Sequence, residues 1–192
     1  MNLFYEMYPE SIEIHGERVP IVTDFREYIK LLDMLKDPEL SDTEKAYCLK
    51  EYFLCDFSDF NEAIKQLSSF VAMDEVEQAG VRKETDTTCT EKAVQQKQLY
   101  SFSIDYPYII AGFLRDYRID LTSVDYLHWW KFRMLFDSLS EDTEIKQRIM
   151  YRSIDLSTIK DKDERKRISK IQRSIQLPQE QLTDYEIGDM FA

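Results

Sequence analysis

Apolar residues recur along this chain at helical spacing far more often than they alternate. Alternation is confined to Ser11-Ile12-Glu13-Ile14 and Arg18-Val19-Pro20-Ile21, which flank His15-Gly16-Glu17. Gly16 is free to take a positive φ, so the pattern predicts a small hairpin with Pro20 at an edge position. Thr23 and Asp24 can then cap a helix carrying Phe25, Tyr28, Ile29, Leu32 and Leu35, which Pro38 ends. Ser41-Asp42-Thr43-Glu44 is a capping-box pattern that opens a second helix through Ala46, Leu49 and Phe53. Ser58 or Asp59 opens a third, with Phe60, Ala63, Ile64, Leu67, Phe70 and Val71 on one face.

Residues 74–98 change character. They hold no aromatic residue and many Glu, Lys, Thr and Gln, so burial cannot offset the entropy of ordering them, and they read as a linker. Apolar density then rises. Pro107 suits the first turn of a helix bearing Ile109, Ile110, Phe113, Leu114 and Tyr117. Thr122-Ser123-Val124-Asp125 is the expected cap of the next, which takes in Leu127, Trp129, Trp130, Phe132, Met134, Leu135, Phe136 and Leu139. Apolar residues cover nearly all sides of that helix, which predicts the most buried element and places the tryptophan pair in the core. Asp142 starts a shorter helix around Ile145 and Ile149. The last runs from about Asp161 to Leu177, with a narrow stripe of Ile168, Ile171 and Ile175, and Pro178 stops it. The expected fold is mainly α: a bundle of six or seven helices with the hairpin as its sole sheet. The expected division is an acidic N-terminal part (1–73), a flexible linker (74–98), a C-terminal helical domain (99–178) and a loosely held acidic tail (179–192).

Composition narrows the function classes. The chain has 192 residues, and 25 Lys+Arg against 37 Asp+Glu leave a net charge of −12, which repels phosphates and argues against a nucleic-acid-coating protein. Four Gly and five Pro are too few turn residues for a many-stranded sandwich or barrel. Cys48, Cys55 and Cys89 are odd in number and lack a disulfide spacing, as in a reduced cytosolic chain. The first residues carry no signal-peptide pattern, and no apolar run approaches the ~20 residues that span a bilayer. A soluble protein without a membrane partner is expected.

No motif for catalysis emerges. The four glycines are isolated, so no loop of backbone N–H groups is available to cradle a phosphate. His15 and His128 have no second ligand at metal-binding spacing, and Cys48 reads as core packing. His128, inside an apolar segment, reads as a hydrogen-bonded structural histidine. No catalytic, cofactor-binding or metal residue is assigned. Charge is uneven, however: residues 1–77 carry 7 Lys+Arg and 18 Asp+Glu, whereas residues 146–173 carry 10 and 4. Arg165, Lys166, Arg167, Lys170 and Arg173 are either a solvated helix face or a docking strip for an acidic partner, including a second copy of the chain. Aromatic residues do not interleave with them, which weakens a nucleic-acid reading further.

The stretch Tyr100 to Thr122, with Asp105-Tyr106-Pro107 and Asp116-Tyr117-Arg118-Ile119-Asp120, resembles the gene-fifteen-product family of phages and prophages of Gram-positive bacteria. So do Leu127-His128-Trp129-Trp130-Lys131-Phe132-Arg133, Tyr151-Arg152-Ser153-Ile154-Asp155-Leu156, and Tyr8-Pro9-Glu10 through Thr23-Asp24-Phe25-Arg26. The resemblance spans roughly residues 8–178 and implies a tail assembly chaperone. Such a protein binds the tape measure protein in the host cytoplasm and keeps it soluble until tail tube subunits polymerise around it. It is absent from the finished particle. It implies no enzyme activity and no cofactor. The competing expectations are a tail-completion or head-tail connector protein that stays in the virion, and a phage regulator acting on a host protein.

Overall fold

The computed structural model describes residues 3–74 and 98–177. Among them the chain is mainly α-helical. Strands β1 (Ser11–Ile14) and β2 (Glu17–Pro20) precede helices α1 (Phe25–Lys36), α2 (Asp42–Lys50), α3 (Phe60–Ala72), α4 (Tyr106–Tyr117), α5 (Trp129–Asp137), α6 (Glu144–Ser153) and α7 (Lys162–Ser174). The helical fold and the N-terminal hairpin are as the sequence predicts. The chain packs as two compact units: one holds residues 3–74 and 126–132 of those described, the other 98–125 and 133–177. A division by sequence at 74–98 leaves 126–132 with the second part, whereas these residues pack with the first. Most of the expected linker, and the tail from 178 on, lie outside the described residues.

In the first unit the hairpin turns through His15 (φ 51°) and Gly16 (φ 85°), positive at both central positions as in a type I′ turn. The turn is therefore two residues, and Glu17 belongs to β2. Glu13 faces Arg18 and Ile12 faces Val19, so Ile12, Ile14, Val19 and Ile21 all turn into the core. Pro20 ends the pairing, and its carbonyl accepts from Leu54 N–H at 2.9 Å. Asp24 caps α1, accepting from Arg26 N at 2.9 Å. The buried set of α1 is Phe25, Tyr28, Leu31 and Leu35. Leu32, expected in that stripe, is only half-buried, because the i, i+3, i+6, i+10 row faces the core. Ser41 and Glu44 form the expected capping box of α2. Phe53 lies beyond the end of α2, in an antiparallel bridge with Ile21. Asp59, rather than Ser58, caps α3, which buries Ala63, Ile64, Leu67 and Phe70.

Helix α5 begins at Trp129 and not near Val124. Asp120 uses its carboxylate and carbonyl on Thr122, Ser123 and Val124, closing a separate turn. Residues 127–129 then run extended against 23–25: Phe25 N–H donates to Leu127 O at 3.0 Å and Trp129 N–H to Thr23 O at 2.8 Å. Those long-range bonds occupy backbone that a longer helix would need for itself. Trp129, Trp130, Phe132 and Phe136 are all at most 2 % exposed, as the apolar pattern requires.

The second unit is organised around one ion pair. Arg152, on α6, donates through Nη1 to Asp105 Oδ2 at 2.6 Å and through Nη2 to Asp105 Oδ1 at 2.9 Å, with both side chains buried. Its remaining donors reach Leu99 O at 3.0 Å and Ile175 O at 2.7 Å. Asp105 also accepts from Ser101 N–H at 3.1 Å, so the carboxylate is fully used without capping α4. One guanidinium therefore joins the segment before α4, helix α6 and the end of α7. Gly112 completes the α4 packing, since a Cβ there would come within 3.2 Å of Leu139 Cδ1. Leu114, expected on the buried face, is exposed on the other side of α4. Thr143, not Asp142, precedes the first residue of α6.

Removing one partner of a buried pair strands the other charge, so Arg152→Met or Asp105→Asn should each cost ~3–5 kcal/mol in denaturant unfolding. The double variant Asp105→Leu with Arg152→Met should cost less than the two single losses added together. Single losses below ~1 kcal/mol would show that the pair does not hold the unit.

Candidate functional site

Helix α7 is the surface that the sequence singles out, and its geometry follows from a thin hydrophobic stripe. Asp161 caps it by accepting from Asp163 and Glu164 N–H, both at 2.8 Å, and these bonds hold its carboxyl below the ordinary range. Asp163 and Glu164 in the first turn and Arg173 in the last complement the helix dipole. Only Ile168 is buried; Ile171 and Ile175 are half-buried. Hydrogen bonds do the rest of the anchoring. Gln172 Nε2 donates to Tyr151 O and Ile154 O, both at 2.8 Å, at the end of α6.

The five basic residues do not act as one set. Arg165 folds back so that Nε and Nη2 both donate to Ile159 O, at 3.1 and 2.5 Å, which ties it to the turn before the helix. Lys166, Arg167, Lys170 and Arg173 are exposed and form no ion pair among the described residues. Lys162, absent from the sequence-based set, shares their exposure. Residues 162, 166, 170 and 173 fall on one stripe of a helix with 3.6 residues per turn. Helical spacing alone could have identified Lys162 and set Arg165 apart.

Exposed apolar side chains form a second class of surface. Near the start of the chain Phe4, Tyr5 and Met7 are 94, 88 and 85 % exposed. On α4 the outward side is Tyr106, Pro107, Ala111 and Leu114, without a charge until Arg115. Among the described residues no group of three or more His, Cys, Asp or Glu side chains could hold a metal ion. Cys48 is half-buried and Cys55 exposed, both free thiols. Among the described residues no helix is long and apolar enough to cross a membrane.

His128 has a structural part to play. Its Nε2–H donates to Pro9 O at 3.0 Å, so Nδ1 carries a lone pair and accepts from Trp130 N–H at 3.0 Å, capping α5. Tyr8 stacks on the ring with centroids 4.8 Å apart. Burial pushes the imidazole pKa below its ordinary value, against the opposing pull of the Pro9 carbonyl and the Glu10 carboxylate. The next two residues finish α3: Trp129 Nε1–H donates to Val71 O at 3.1 Å and Trp130 Nε1–H to Phe70 O at 2.8 Å. Sequence patterning finds the burial of these tryptophans but not their hydrogen-bond partners.

A family model described as "Bacteriophage Gp15 protein" matches residues 4–177. No curated protein and no solved structure matches the chain.

A protonated His128 could no longer accept from Trp130 N–H. The unfolded chain takes up that proton near pH ~6.5 and the folded chain only at lower pH, so stability is full above ~6.5 and falls as the pH drops through the folded value. Urea unfolding should therefore show a loss between about pH 7 and pH 5. His128→Asn, which keeps a capping oxygen but does not titrate, should lack that part of the slope. Identical slopes in the two proteins would remove His128 from the explanation.

Proposed function

The chain belongs to the bacteriophage Gp15 protein family, and from that premise we propose that it is a tail assembly chaperone that binds the tape measure protein in the host cytoplasm. On this reading the protein is a binding protein and not an enzyme. It holds a long helical chain soluble until the tail tube polymerises around it, and it leaves before the particle is complete. The observation that carries the reading lies in the second unit, which exposes both an unpaired cationic stripe on α7 and the large apolar side chains Tyr106 and Leu114 on α4. Apolar exposure of this kind is what a protein needs to shield another chain's apolar face. The cationic stripe adds selectivity for segments that also carry acidic residues. Contacts to tail tube subunits and self-association fit the same surfaces.

Co-expression tests this. The tape measure protein should be mostly insoluble alone and mostly soluble, and co-purifying, when this chain is made with it. Exposed ion pairs contribute ~0.2–1 kcal/mol each, so a single charge reversal should change little. Lys166→Glu, Lys170→Glu and Arg173→Glu together should weaken the complex by about tenfold and flatten its salt dependence. A tape measure protein equally soluble with and without this chain would contradict the reading.

A further inference from the structure

The stripe of Lys162, Lys166, Lys170 and Arg173 runs along α7 roughly opposite buried Ile168. All four are exposed, and none is paired among the described residues. Residues 165–177 contain no acid at all, so nothing in the last three turns neutralises the row. Like charges three or four residues apart on a helix repel, and an acidic chain laid along them relieves that repulsion.

The same sequence supplies such a chain. Residues 178–192 carry Glu180, Asp184, Glu186 and Asp189 and no Lys or Arg, and the segment starts just after α7 ends at Ser174. We propose that the acidic segment 178–192 docks in cis along the cationic stripe of α7.

Reach permits it. The stripe spans roughly 17 Å at 1.5 Å per residue, and fifteen residues of extended chain reach roughly 50 Å. Tethering decides between this occupant and others. Exposed ion pairs are individually weak, so a separate acidic chain, including the acidic residues of a second copy, is bound poorly at micromolar concentration. A segment tied a few residues away acts at an effective concentration of about millimolar and needs no stronger contacts. The tail thereby competes with any acidic partner for the stripe. This inference stands on the charge pattern and does not depend on which partner the protein serves.

The test uses the full chain, mixed as equal parts of unlabelled and nitrogen-15-labelled protein at low micromolar concentration and treated with a zero-length carbodiimide cross-linker. Mass spectrometry should find links from Lys166 or Lys170 to Glu180, Asp184 or Glu186 within one isotope label. Their yield should drop at least about fivefold between about 50 and about 500 mM salt. Absence of these links, links between labels, links to acids within residues 3–74, or yields indifferent to salt would overturn the proposal. A variant carrying Glu180→Gln, Asp184→Asn, Glu186→Gln and Asp189→Asn gives an independent readout. It should bind an octa-glutamate peptide about tenfold more tightly than the unaltered chain, because its stripe is uncovered. Equal affinity would likewise overturn it.

Discussion

Two indole N–H groups arrive at the carbonyls that end α3, one of them on Phe70 O, which also accepts from the capping Met73 N–H at 3.2 Å. Val71 O accepts from Trp129 and Phe70 O from Trp130, across sequence separations of 58 and 60 residues. Leaving a buried indole or carbonyl without its bond costs ~1–3 kcal/mol apiece, so the end of α3 and the start of α5 are coupled. The coupling goes with residues 127–129 lying extended against 23–25, which fixes Phe25 at the start of α1 and brings its ring onto Phe132, with centroids 4.7 Å apart. His128 then holds both the helix it caps and the carbonyl of Pro9. Four consecutive residues, Leu127 to Trp130, thus touch the chain near residue 9, α1 and α3. The run that most distinguishes the sequence is occupied with holding the first unit together.

In the second unit a charged pair takes the organising place that the indoles take in the first. Arg152 spends its guanidinium on Asp105 and on the carbonyls of Leu99 and Ile175. Asp105 in turn gives up capping α4, whose first turn makes do with Pro107. The same guanidinium and the two bonds from Gln172 anchor the C-terminal end of α7, a helix with only one buried apolar residue. Its outer face carries no structural duty. A helix held at its C-terminal end by backbone-directed bonds can present a row of cations on its outer face, and this one does.

What could be read in the sequence was what is decided within a few residues. The hairpin, the Ser41–Glu44 box and the Asp24 cap are local devices that the sequence announces, the hairpin with its second strand starting one residue early, at Glu17. Asp59 settles a choice that the sequence left open between two neighbours. The onset of α5 was not legible, because Thr122 to Asp125 is a sound capping pattern that loses to long-range pairing of 127–129. Arg152 was not legible either: an arginine between Tyr151 and Ser153 looks like surface until Asp105 is beside it. The candidate site is intermediate. Its basic residues are obvious in composition and helical spacing already sets Arg165 apart, but the carbonyl of Ile159 that takes its guanidinium is not visible in the sequence.

A protein that shields the tape measure chain during assembly and a connector that stays in the particle differ most plainly in where the chain is found. Quantitative mass spectrometry of washed, purified phage particles, alongside tape measure complexes isolated from cells during assembly, measures both at once. A chaperone predicts the chain bound to the tape measure protein in the cell and well below one copy per finished particle. A fixed, stoichiometric copy number in the washed particles would contradict it.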